Sequence, residues 1–232
     1  MKPETGEASR ALRILCFFGR ICLQMLGIVL LFTLFWDLLL PIVRGESGGG
    51  WPLTGTKLAA LLEDFPPYLL LAGGVTVWFC PTFFFGNTIA TMISMNATRR
   101  LTVLSIWLCE GAVILIVIGI VRLFAVFGMG TVLVEWLPLF FAAELVMASI
   151  GVIFGMVSLR WSTLGMILNA VCAGSLAFLC GVFAGLEADA AFFNQNVPEW
   201  LRSAVLPVIG LALYAAAGAV SLKCLRKMEV SR

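Results

Sequence analysis

An all-α, polytopic membrane protein with six transmembrane helices is the fold this sequence predicts, and three observations predict it. Of the 232 residues, 61% are hydrophobic and 12% are charged, with a mean hydropathy of +1.06. A soluble domain is closer to about half apolar and a quarter charged. Apolar runs of roughly 20 residues recur along the chain, each long enough for a bilayer core of about 30 Å. The runs are continuous rather than alternating, so the short two-faced strands of an outer-membrane barrel are excluded.

The six spans are expected at about 21–43, 67–93, 101–121, 136–158, 163–186 and 203–222. The first is too long for a signal-peptide core and no small-x-small cleavage site follows it, so it is expected to be retained. Before it, "ASRALRILCFFGR" alternates Arg10, Arg13 and Arg20 with apolar residues. That pattern predicts an interfacial helix over 8–20, although a basic flank serving topology alone would look similar. Ahead of the second span, Leu58, Leu61, Leu62 and Phe65 recur at helical spacing, the pattern of a short amphipathic surface helix that Pro66 and Pro67 close. Pro81 lies well inside the second span and should bend it. Between the last two spans, "EADAAFFNQNVPEWLRSA" is either a segment dipping into the bilayer or an interfacial loop anchored by Trp200.

Charge sets the orientation. The termini and the two short loops carry Lys2, Arg10, Arg13, Arg20, Arg99, Arg100, Arg160, Lys223, Arg226, Lys227 and Arg232. The long loops carry only Arg44, Lys57, Arg122 and Arg202. Basic residues stay on the cytoplasmic side, so both termini and the short loops are expected there, in a cytoplasmic (inner) membrane.

Enzymatic chemistry has little to work with. The chain has no histidine, which removes the usual general base and the commonest metal ligand. No G-x-x-x-x-G-K-[ST] loop is present, so ATP hydrolysis would reside in another chain. The seven cysteines show no C-x-x-C spacing and are expected to pack as small apolar residues. No catalytic group, metal site or cofactor is predicted, and no nucleic-acid partner.

Three acids lie within apolar spans. Asp37 is close enough to the outer end of its helix to reach the interface, whereas Glu110 and Glu144 fall near mid-membrane. A charge at that depth costs several kcal/mol unless paired, protonated or hydrated. The glutamates, with Asp37, are therefore candidates to line a pathway or bind a cation or proton. Alternatively they hydrogen-bond polar neighbours such as Asn169, Ser105 or Thr163, or stabilise a subunit contact. Two G-x-x-x-G patterns, Gly151 to Gly155 and Gly181 to Gly185, permit close helix packing within the chain or between subunits.

In the loop "SMNATRRL", 94–101, Arg99 and Arg100 either serve only to hold the loop in the cytoplasm or form a docking handle, since the other short loop manages orientation with Arg160 alone. Ser94 and Asn96 are potential helix caps, Thr98 adds a hydroxyl, and Arg99 and Arg100 are paired cations suited to an acidic groove on a soluble partner. With the topology above, this loop makes the chain resemble a small ABC-2-type permease, the membrane subunit of a bacterial ABC exporter. "SMNATRRL" is similar to the G-x-T-R-[KR] turn of such permeases, with Asn96 where a glycine often stands. The resemblance implies that 8–20 is the interface helix, that 94–101 is the coupling element on an ATP-binding subunit, and that 187–202 dips into the membrane. It further implies a second copy or a related permease as partner, and outward transport of a peptide or amphipathic small molecule. A six-span substrate-binding component of an importer and a non-transporting assembly or sensor protein are the alternatives.

Overall fold

The structure is a computed structural model that describes residues 4–43, 55–85, 98–128, 134–161, 163–172 and 198–228. Helices account for nearly all of them, and no strand occurs among the described residues. The elements are α1 (Glu4–Val43), α2 (Gly55–Phe83), α3 (Arg99–Val126), α4 (Leu137–Arg160), α5 (Thr163–Cys172), a π-helical turn (Leu201–Val205) and α6 (Leu206–Met228). Four stretches are long and apolar enough to cross a bilayer: Ala11–Phe35, Arg100–Val126, Leu137–Arg160 and Leu201–Leu225. The chain is thus a multi-pass membrane protein, helical throughout nearly all its described residues.

Two expected boundaries are absent. The segment 8–20 is not a separate interfacial helix but the first part of α1, which runs 40 residues without a break. Ile14, Phe18, Cys22 and Leu26 form one buried stripe at four-residue spacing, so core packing continues in register across the expected joint at residue 21. Phe18 meets the ring of Phe84 edge-on at 4.7 Å, which draws this part of α1 into the bundle rather than onto the membrane surface. Likewise, the predicted surface helix before the second span is continuous with that span. α2 passes through Pro66 and Pro67, with Pro66 fully buried and the Phe65 ring 5.0 Å from that of Phe124 on α3. In a membrane helix, neighbouring helices hold such prolines in place where an isolated helix would break.

The remaining spans differ in extent. α3 runs five residues beyond the expected end at 121, and stops where Gly128 takes φ +83 with its amide on the Ala125 carbonyl. Only glycine adopts that left-handed geometry without steric cost. α4 matches expectation closely, with Pro138 in its first turn. Of the fifth expected span, only 163–172 lies among the described residues. So do only 198–202 of the segment expected to dip into the membrane.

α4 is the centre of the bundle, packed most extensively on α6 and α2, while α1, α2 and α3 pack on one another. The α2–α4 seam is the tightest contact. A Cβ built on Gly151 would collide with the Trp78 carbonyl oxygen, and one on Gly155 would lie 2.6 Å from the Phe85 ring and 2.9 Å from the Pro81 carbonyl oxygen. The first G-x-x-x-G is therefore an intrachain contact, and the second lies outside the described residues. Pro81 has no amide hydrogen to donate to the Val77 carbonyl, which loosens α2 where α4 presses closest. The Thr82 hydroxyl lies 3.4 Å from both the Trp78 and Gly151 carbonyl oxygens and ties the seam together.

These contacts sort the helix ends. Phe18 on Phe84, the Cys109 thiol on the Leu15 carbonyl at 3.5 Å, Gly155 on Pro81 and Gly218 on Trp107 bring five helices together in the half of the bundle where α3 starts. Phe65 on Phe124 and Gly210 on Ala142 bring helices together in the other. The exposed Arg13, Arg100, Arg160 and Lys223 all lie toward the outer edge of the first half, the basic end.

Candidate functional site: a capped arginine pair and two buried carboxyls

The helix start at the basic end is set by one side chain. Thr98 is extended (φ −71, ψ 138) and its hydroxyl accepts a hydrogen bond from the Leu101 amide at 3.3 Å, the geometry of an N-cap. Its carbonyl accepts from the amide and the hydroxyl of Thr102 at 3.0 and 3.2 Å. Ser94 and Asn96, the caps expected from the sequence, lie outside the described residues. Arg99 and Arg100 occupy the first two helical positions, with Arg100 exposed and the Arg99 side chain outside the described residues. No acidic residue accompanies them in the first turn. A helix N-terminus carries partial positive charge and disfavours a cation by about 0.3–1 kcal/mol. Helix stability therefore does not explain the pair; retention of cations on one side of a membrane, or a partner outside the helix, does.

The two mid-span glutamates are buried inside the bundle and kept apart. Glu110 on α3 is 0% exposed and Glu144 on α4 is 3% exposed. Glu144 points at α2: a Cβ on Gly73 would sit 2.8 Å from its Oε1 and 3.0 Å from a methyl of Val117. Gly73 is the space that admits the carboxyl. Val117 lies two helical turns beyond Glu110 on α3, so the acids are separated by about 10 Å along that axis. Neither Glu144 oxygen has a hydrogen-bond partner among the described residues, nor does Glu110 Oε1.

Among the described residues the one hydrogen-bonding side chain at Glu110 is Tyr214 on α6, whose hydroxyl lies 3.5 Å from Oε2. That hydroxyl donates to the Trp107 carbonyl at 2.5 Å, and the Trp107 indole N–H donates back to the Tyr214 carbonyl at 3.3 Å. The two rings stack at 5.0 Å with 17° between their planes. Gly218 permits this, since a Cβ there would lie 2.9 Å from the indole nitrogen.

Of the partners proposed from sequence for the glutamates, Asn169 is engaged elsewhere. Its Oδ1 accepts from the Trp78 indole at 3.2 Å and its amide donates to the Gly165 carbonyl at 3.1 Å. Thr163 is exposed at the start of α5. The side chain of Asp37 lies outside the described residues. Tyr214 and Gly73 were not legible as partners, because both act across helices. The only available signal was a tyrosine, one of two in the chain, within the alanine-rich run "LALYAAAG".

A cavity of about 470 Å³ opens where α4 turns into α5, lined by Arg160, Trp161, Thr163 and Leu164. It is about 24 Å along α4 from Glu144, so neither glutamate lines it. Among the described residues no three Cys, Asp or Glu side chains converge to hold a metal. No protein-family model, no curated protein and no solved structure matches the chain.

Proposed function

We propose that this chain is the membrane-spanning permease subunit of an ATP-driven exporter, moving a peptide or amphipathic small molecule outward with a separate ATP-binding subunit. The observation that carries the reading is the arginine pair. Thr98 starts α3 so that Arg99 and Arg100 stand at the basic end in positions that the helix itself disfavours. An acidic groove on a soluble partner reverses the sign of that interaction. Arg13, Arg160 and Lys223 toward the same end enlarge the cationic surface.

Geometry also supports six crossings. α4 ends at the basic end and α6 starts at the opposite one, the placement that a fifth span between them calls for. α2 likewise runs from the end where α3 finishes back to the basic end. With the basic end in the cytoplasm, both termini and the 94–101 turn lie inside. The acids at mid-depth are covered by their own chain, so the transport route in this reading runs between two permease copies, or between this chain and a related one.

A pull-down in mild detergent tests the reading, with wild type beside an Arg99→Glu, Arg100→Glu double variant and a co-expressed ATP-binding subunit. Recovery of that subunit by wild type and its loss in the variant is the expected result. Wild type emerging alone would sink the proposal and leave the arginines as topology signals.

A further inference from the structure

The contacts around Glu110 constrain where its proton is. A tyrosine hydroxyl has one hydrogen to donate. At Tyr214 that hydrogen goes to the Trp107 carbonyl at 2.5 Å, leaving only lone pairs on the phenol oxygen to face Glu110 Oε2 at 3.5 Å. An ionised carboxylate there would set lone pair against lone pair. The other groups facing the acid are the Cys22 thiol of α1, beside Cys80 of α2, and the adjacent Cys109 thiol of α3. Glu144 on α4 is about two helical turns away. None of these groups is cationic. The carboxyl is 0% exposed and about 15 Å along the helix from Arg100, half the depth of a bilayer core, where water does not replace a missing partner.

We propose that Glu110 is a proton-binding site at the contact of α6 with α3: its carboxyl carries a proton and directs it at the Tyr214 hydroxyl oxygen, 3.5 Å away. The contact has three parts that depend on one another. The Trp107–Tyr214 stack and its reciprocal hydrogen bonds hold the rings, and the Glu110 proton fills the lone pair the phenol would otherwise bury unpaired. This proposal stands whether or not the chain partners an ATP-binding subunit.

The test is infrared spectroscopy of the full-length protein in phosphatidylcholine nanodiscs at pH 7, in H2O and D2O. The carbonyl band of an un-ionised carboxylic acid is compared between wild type and Glu110→Gln. The expected result is a deuterium-sensitive component present in wild type and missing from the variant. Glutamine keeps the shape and can donate to the same phenol oxygen, so the variant should retain its fold. A carboxylic-acid band that is unchanged in folded Glu110→Gln overturns the proposal. Tyr214→Phe provides an independent check. Removing the phenol acceptor should move the Glu110 component to higher frequency, and an unmoved band would show that no proton is shared with Tyr214.

Discussion

Replacing Gly151 by alanine is the most demanding test of the bundle. A Cβ there would meet the Trp78 carbonyl oxygen closer than any real contact, with the Trp78 carbonyl carbon and Cα each at 3.0 Å. These atoms are helix backbone and cannot rotate aside, so α2 and α4 would have to separate. Overpacking of this kind costs about 1–3 kcal/mol, and the upper half of that range is expected because separation also strains the Thr82 bridge to the Gly151 carbonyl. Gly74→Ala is the matched control. It sits in α2 with nothing within 4 Å of the new methyl, and exchanging glycine for alanine within a helix should be neutral or stabilising by up to about 1 kcal/mol. Both variants are measured by reversible denaturation in mixed detergent micelles, with size-exclusion light scattering to follow the oligomeric state. Gly151→Ala should be destabilised and unchanged in mass, and Gly74→Ala should not be destabilised. Equal stability of the two variants would refute the seam. A loss of oligomer mass with stability intact would move the G-x-x-x-G from an intrachain contact to a subunit interface.

Two further outcomes follow from the same geometry. Arg100→Glu alone should raise thermal stability slightly, by about 0.3–1 kcal/mol, because it replaces a cation with an anion near the α3 N-terminus; it should also weaken recovery of the ATP-binding subunit. A stability loss together with full recovery would contradict the docking role. Trp78→Phe removes the indole donor from Asn169 Oδ1, which is buried, and should cost about 1–3 kcal/mol by denaturation. If Asn169→Leu added to Trp78→Phe cost as much again, the two residues would not be coupled.

The class of this protein was determined by composition and run length alone. Lipid solvation requires about 20 continuous apolar residues per crossing, and that demand is written into the chain without reference to any contact. The span over 136–158 was legible for that reason, as was the gathering of basic residues at one end of the bundle. What needed tertiary structure was everything decided between helices. In a membrane, lipid tails are as apolar as leucine, so hydrophobic periodicity does not say which face packs and which meets lipid. Phe18 and Phe17 are neighbours of the same type, yet the first is 0% exposed against Phe84 and the second is 44% exposed. The continuity of α1 and α2 through residues expected to end them arises the same way, because Pro66 and Ile14 are held by partners distant in sequence. Ser94 and Asn96 were the caps expected from local chemistry, with Thr98 read only as a further hydroxyl, and Thr98 is the residue that caps α3. The burial of Glu110 and Glu144 was foreseeable from their depth. Their neighbours, Tyr214 and Gly73, are 104 and 71 positions away, and only the packing of α6 on α3 and of α4 on α2 brings them together.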